Sequence, residues 1–431
     1  MTNFNEVELG KTKIQFIDGD RSSRYPKRDE FVEEGIMFLN AESINSGSIN
    51  KAAANYISEE KFSEIKKGRI KCGDLLLTTR GNGVGNVAYV NTNDLGLINA
   101  QMLILRANEN EINSKFLFYY FSSTTLYSYI QNFASGSAQP QIPIRDLKKI
   151  PLFVPSLKNQ EKIGAILSAY DDLIENNKKR IQILESIAEE LYKEWFVRFR
   201  FPNYEKNEFE KGIPKDWKII NSGEFIDVVK GKSYTSLEIH DVFIDESLPF
   251  INLKNFNRGG GYRRNGLKFY SGRYADNQKT YPDDIVMAVT DMTQDRAVVG
   301  RVARVPKLNA DFAIISLDCV KLVPKIYSST FTYCYFKYSG FSEHIKEFAN
   351  GANVLHLSPN QISKQKILLP HKELIENFEA IVSPIFTYLN ILEESNEKLE
   401  IMRNNLLPRL ISGKLSVEDL DIQFPISMQE Q

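Results

Sequence analysis

Two stretches of this chain carry apolar residues spaced alternately four and three apart, and they lie 215 residues from each other. In the first, Ile163, Leu167, Tyr170, Ile174, Asn177, Ile181, Leu184, Ala188, Leu191 and Trp195 form one unbroken seam. The second repeats it with Phe378, Val382, Ile385, Leu389, Leu392, Asn396, Leu399, Arg403, Leu406 and Leu410. This is the a/d spacing of a coiled coil, and each helix alone would leave its stripe in water. The pattern therefore predicts two long helices that bury their seams against each other. Two unrelated amphipathic helices packed on their own domains are the alternative. Asn177, Asn396 and Arg403 are the polar seam positions, expected to set register at some cost in stability. Pro384 and Pro408 are expected to kink the second helix near its ends. A seam of this length predicts a rod of about 50 Å, with a domain at either side of it.

Elsewhere the pattern changes to short β-branched and apolar runs between Gly and Asn turns, the signature of strands. Strands are expected at 35–40, 74–79, 84–90 and 100–106, with counterparts at 249–253, 284–289, 298–305 and 313–322. Aromatic-rich helical patches follow at 114–133 and 329–348. The chain also repeats itself in letters: FASGSAQPQIPIRDLKKIPLFVP from Phe133 lies without a gap over FANGANVLHLSPNQISKQKILLP from Phe348, and GNVAYV from Gly85 over GRVARV from Gly300. A repeat this long is a duplicated domain, not a solenoid unit. The expected architecture is α+β, with two similar domains (1–155 and 201–370), each followed by a helical spacer (156–200 and 371–412). A poorly ordered tail is expected at 413–431. A two-fold relation between the copies would run the helices antiparallel.

Composition narrows the function more by exclusion. The chain has 431 residues, 42% hydrophobic and 25% charged, with a formal net charge of −1. That is globular composition, and it lacks the basic excess from which nucleic-acid binding is usually argued. Any such binding must come from local patches. No signal peptide or membrane-spanning run is legible, so a cytoplasmic location and no membrane partner are expected. Cys72, Cys319 and Cys334 have neither CxxC spacing nor an even count, which excludes a disulfide framework and a zinc site.

A search for chemistry finds little. His240, His344, His356 and His371 have no metal-ligand spacing, and neither a nucleophile elbow nor a Walker loop is present. Gly81, Gly83 and Gly85 have GxGxG spacing, but a strand-like run follows instead of a helix, and the second copy loses two of the three glycines. A hairpin turn is the expected structure. The Asn/Asp-Pro-Pro-aromatic tetrapeptide of amino-methylating enzymes is missing too. Basic patches are more informative. Arg21, Arg24, Lys27 and Arg28 surround Tyr25, while Arg258, Arg263, Arg264, Lys268 and Arg273 are interleaved with tyrosines and with Gly259, Gly260 and Gly261. Arginine on such a loop can take a phosphate or a guanine edge, and the glutamines Gln139 and Gln141 can read adenine.

The order of these pieces, with Ile17-Asp-Gly-Asp-Arg21, Gly73-Asp-Leu-Leu-Leu-Thr-Thr-Arg80, Gly85-Asn-Val-Ala88, Pro151-Leu-Phe-Val-Pro155 then Gln160, Glu194-Trp-Phe-Val197 and Ile213-Pro-Lys-Asp-Trp217, resembles the specificity subunit of type I restriction-modification systems. The resemblance covers nearly the whole chain. It implies a non-catalytic subunit whose two target recognition domains each read half of a bipartite site in double-stranded DNA. It also implies helices that set the spacing and dock partners: two methyltransferase subunits with S-adenosylmethionine, and two restriction subunits using ATP and Mg²⁺, with no cofactor in this chain. The expected DNA contacts are Arg21, Arg24, Lys27, Arg28, Arg80, Asn82, Gln139 and Gln141 in the first domain. In the second they are Lys232, Lys254, Arg258, Arg263, Arg264, Lys268, Asn353 and His356. Arg80 has no obvious counterpart in the second copy. The competing reading is a two-domain coiled-coil scaffold that binds proteins.

Overall fold

The computed structural model describes residues 4–45, 47–134, 140–425 and 428. The chain divides into two units, residues 1–176 with 396–431, and residues 177–395. Both long helices are present, Leu157–Tyr192 and Lys372–Ile411, and the division between units falls within each. In the first unit the start of the first helix packs on the end of the second, with Ile163 and Leu167 in one cluster with Leu406 and Leu410. Arg403 is ion-paired there with Asp171. In the second unit Leu184, Ala188 and Leu191 share a core with Phe378, Val382 and Leu389. Each pairing is antiparallel. The second helix runs from Lys372 to Ile411 through both Pro384 and Pro408. A proline removes only one ladder hydrogen bond, and packing along the seam keeps the turns closed. Trp195 remains buried, but in a π-helical turn, Lys193–Val197, that ends the first helix.

Each unit builds the same two-sheet domain. In the first, the strands Gln15–Asp18, Met102–Arg106, Leu75–Thr78 and Val87–Tyr89 form one sheet in that spatial order, all neighbours antiparallel. A second sheet takes Gly96–Ile98, Ile36–Leu39, Asn55–Ile57 and Phe31–Val32. The period-2 alternation sorts the two cores. Leu75, Leu77, Leu103 and Leu105 face the aromatic helix Ser114–Ser122 and the long helices, whereas Leu76, Met102 and Ile104 face Met37, Leu39 and Ile98 of the other sheet. The central strands Leu75–Thr78 and Met102–Arg106 are buried on both faces, which is why they read as continuous apolar runs.

The second unit repeats this with Ile226–Lys230, Cys319–Pro324, Ile285–Ala288 and Val302–Arg304 in one sheet, beside a five-stranded sheet containing Leu248–Ile251 and Ala313–Ile315. The run 313–322 is therefore two strands in different sheets, not one. The first copy divides likewise, between Gly96–Ile98 and Met102–Arg106. A core of interlocked rings lies under the first of these sheets, where Phe196 sits 5.0 Å from Phe378, 5.3 Å from Phe331 and 6.0 Å from Trp217.

The tail is less free than its composition suggests. Val417 is buried, and the Lys162 ammonium donates to the carbonyls of Val417 at 3.1 Å and Glu418 at 2.7 Å. Charge-assisted bonds of this kind contribute about 1.5–3 kcal/mol. A Lys162→Met protein should therefore keep its fold but lose amide-exchange protection over residues 415–420. Unchanged protection there would show that Val417 alone anchors the segment.

Candidate nucleic-acid interface

At one end of the four-stranded sheet the connections of the first domain converge. Thr79 donates its N–H to the Gln101 carbonyl at 2.8 Å, Ile142 donates to Thr79 at 3.0 Å, and Gly81 donates to Pro140 at 2.9 Å. Arg80 and Gln141 form an isolated β-bridge. The Arg21 guanidinium reaches the Ala100 carbonyl at 3.4 Å and is paired with Asp18 at 3.2 Å. Arg21, Arg80, Asn82, Gln101 and Gln141 are all exposed. One cluster thus collects residues more than a hundred positions apart in sequence.

The second domain rebuilds the cluster from the same backbone bonds. Val289 donates to Asp318 at 2.8 Å, as Thr79 does to Gln101, and Leu357 donates to Val289 at 2.8 Å, as Ile142 does to Thr79. Lys232 is laced to Ile315 and Leu317, each bond 2.8 Å long. The strand pair Thr290–Asp291 with Leu355–His356 takes the place of the Arg80 to Gln141 bridge. Arg80 does therefore have a counterpart, Thr290, whose hydroxyl lies 3.4 Å from His356 Nδ1. The glycines before these segments are obligatory for packing. A Cβ on Gly19 would stand 2.2 Å from the Asn99 carbonyl oxygen, and one on Gly231 would stand 1.9 Å from that of Ser316.

The hairpin expected at Gly81 to Gly85 is present, joining Leu75–Thr78 to Val87–Tyr89. Gly81 and Gly85 have φ of 88° and 89°. The second copy holds its longer turn differently. Asp291, buried to 3% exposure, accepts from Thr293 N at 2.9 Å, Val298 N at 2.7 Å and Val299 N at 3.1 Å. Burial pushes this carboxyl up, but the hydrogen bonds from Val298, Thr293 and Val299 outweigh it and keep the group below the ordinary aspartate value. A carboxylate thus replaces glycine as the organiser of the turn. Gln294 Nε2 ties the turn to the Ala352 carbonyl at 3.0 Å, beside exposed Asn353.

The remaining residues anticipated from sequence lie elsewhere. Arg24 donates to the Glu64 carbonyl at 3.2 Å, and Lys27 and Arg28 are exposed at the short turn that follows. The stretch around Gly259 to Gly261 is a tight hairpin bridged from Phe256 to Tyr262, with Gly261 donating to Val302 at 2.8 Å. Arg264 beside it is half-buried and ion-paired at 2.9 Å with Glu393 of the second long helix. Lys268 pairs with Asp241 at 3.1 Å, while Lys254, Arg258 and Arg263 are exposed. Among the described residues, no hydrogen bond or ion pair joins Lys254, Arg258, Arg263 or Lys268 to the turns around Thr290. Gln139 lies outside the described residues. Gln101, Tyr234 and Asp318 belong to the clusters and were missed, because Gln101 opens an expected strand and Asp318 interrupts one.

Fold and site together define a duplicated recognition protein, with one backbone framework built twice and dressed with different side chains. The model of the type I restriction modification DNA specificity domain matches residues 17–186 and 214–402. The chain belongs to this family. It is 30% identical over 312 residues to the type I restriction enzyme MjaIX specificity subunit of Methanocaldococcus jannaschii, covering 71% of this chain and 70% of that one. With the HindI specificity subunit of Haemophilus influenzae it shares 25% identity over 403 residues, covering 80% and 87%. Its fold is similar to the crystal structure of a type I restriction-modification S subunit from M. genitalium, with TM-score 0.58, 17% identity, and coverage of 95% and 96%. Among the described residues no helix is long and apolar enough to cross a membrane.

Proposed function

We propose that this chain chooses the DNA sequence for a type I restriction-modification complex, each domain reading one half of a bipartite site through its turn cluster. The observation that carries this reading is the pair of clusters. Identical main-chain bonds hold Gln101 and Asp318, or Arg80 and Thr290, in equivalent places, so the chemistry differs while the geometry does not. Two unlike half-sites call for that arrangement. Catalysis belongs to the partners in this reading. Two methyltransferase subunits with S-adenosylmethionine modify adenine N6, two restriction subunits use ATP and Mg²⁺, and this chain supplies no catalytic residue and no cofactor.

The test is a genome-wide map of N6-methyladenine in cells that express the chain with its methyltransferase partner, compared with cells lacking only this chain. Loss of one bipartite motif on deletion is expected. An unchanged map, with both proteins present, would refute sequence choice as the function.

A further inference from the structure

We infer that Gln101 and Asp318 are equivalent base-reading residues, Gln101 taking an adenine edge and Asp318 the exocyclic amino group of a cytosine. The inference rests on the proposed function and deepens it.

The equivalence is set by three matched pairs of bonds. Asn99 N donates to Leu39 O, and Ser316 N to Ile251 O, both at 2.8 Å. Two residues on, the carbonyls of Gln101 and Asp318 accept from Thr79 and Val289, again both at 2.8 Å. The side chain at the head of each turn closes it in the same sense: Gln101 N donates to Asn99 Oδ1 at 2.9 Å, and Asp318 N to Ser316 Oγ at 3.3 Å. The backbone of both residues is therefore fully engaged and fixed, while the side chain is what differs. That division suits a position whose task is to present a changeable group at constant geometry.

The surroundings assign the chemistry. Gln101 is exposed between Arg21, which reaches the adjacent Ala100 carbonyl, and Arg80, which follows Thr79. Two cations on phosphates would leave a carboxamide between them to face base edges; its Oε1 accepts from Asn99 Nδ2 at 3.4 Å and keeps a second lone pair for adenine N6, while its amide nitrogen donates to N7. Asp318 lies between Thr290 and Lys232, and one carboxylate oxygen accepts from Tyr234 Oη at 3.4 Å. A carboxylate facing a polyanion is repelled unless it receives a donor. Cytosine N4 is the major-groove donor that carboxylates accept. Tyr234 fixes one oxygen and leaves the other for that amino group.

The experiment maps N6-methyladenine in cells expressing the methyltransferase partner with the wild-type chain, Gln101→Ala, Asp318→Asn or Asp318→Ala. Each substitution should relax one position of one half-site, by about 10- to 100-fold in preference, and the Gln101 and Asp318 variants should act on opposite half-sites. Wild-type motifs in all variants, or relaxation of the same half-site by both, would overturn the assignment. Absence of any bipartite motif with the wild-type chain would instead overturn the proposed function.

If a variant methylates nothing, its purified complex is offered duplexes with one half-site randomised. Recovery of a relaxed position supports the inference, and recovery of the wild-type bases throughout overturns it. No recovery counts for the inference at an unchanged melting temperature, and against it when melting is lowered.

Discussion

An Arg106→Ala protein is expected to lose about 3–5 kcal/mol of stability in its first domain, the cost of stranding a buried carboxylate. Asp74 has a side chain only 1% exposed, gripped by Arg106 Nε at 2.7 Å and by a terminal guanidinium nitrogen at 2.8 Å. The same nitrogen donates to the Arg69 carbonyl at 3.0 Å, and Lys71 N donates to Asp74 at 2.7 Å. The pair pins Asp74, at the head of the strand Leu75–Thr78, to Arg106, at the end of its neighbour Met102–Arg106. Those two strands lead into Thr79 and out of Gln101, so the recognition cluster should loosen with them. The double variant Asp74→Ala/Arg106→Ala should recover part of the loss, because no charge is then left unpaired. The second copy offers a built-in contrast. Asp284 also caps its own turn, from Tyr281 N at 2.9 Å, but its cation, Lys321, stands 3.6 Å away and the carboxylate is 31% exposed. Lys321→Ala should accordingly cost well under half as much. Hydrogen exchange over residues 75–78 reads the first effect locally, and a change below about 1 kcal/mol would show that the buried pair is not what secures these strands.

Asp291→Asn should cost the second domain about 2–3 kcal/mol at neutral pH, since a charged acceptor of three backbone N–H groups becomes a neutral one. Exchange protection of Thr293, Val298 and Val299 should fall, and methylation should lose selectivity in one half-site only. The pH dependence gives an independent check. The folded-state value of this carboxyl is depressed, so its contribution is fully present above the unfolded aspartate value, near 4, and disappears as pH falls through the lower folded value. The stability difference between wild type and Asp291→Asn should therefore shrink on acidification below about pH 4. A difference that stays constant from pH 7 to pH 3 would mean that the carboxylate charge plays no part in holding the turn.

Particular residues show why some of the site was legible and some was not. The hairpin at Gly81 to Gly85 was readable because glycine in that spacing has few other uses between strands. Asp291 was not, since an aspartate in a polar loop is unremarkable until three N–H groups are seen to point at it. Arg264 stands in a basic, glycine-rich stretch that suggests DNA, yet it is paired with Glu393 of the second long helix, 129 residues away. Trp195, Phe196 and Trp217, in two of the segments that carry the family resemblance, are buried in the ring cluster of the second unit. Their regularity reflects packing. Gln160, at the head of the first long helix, is likewise buried, accepting from Asn113 N at 2.9 Å and donating to Glu111 O and Pro155 O at 3.1 Å.

By itself the sequence determined the duplication, the two seams and the α+β alternation, because these depend on periods of two and of seven over short distances along the chain. It determined the family as well, through the order of several weak segments. Only the tertiary structure decided which loops share a cluster, that 313–322 breaks at Ser316 to Asp318, that Thr290 stands where Arg80 does, and that the tail is tied to Lys162. Those outcomes depend on hydrogen bonds and burial between residues tens to hundreds of positions apart, for which local propensity carries no signal.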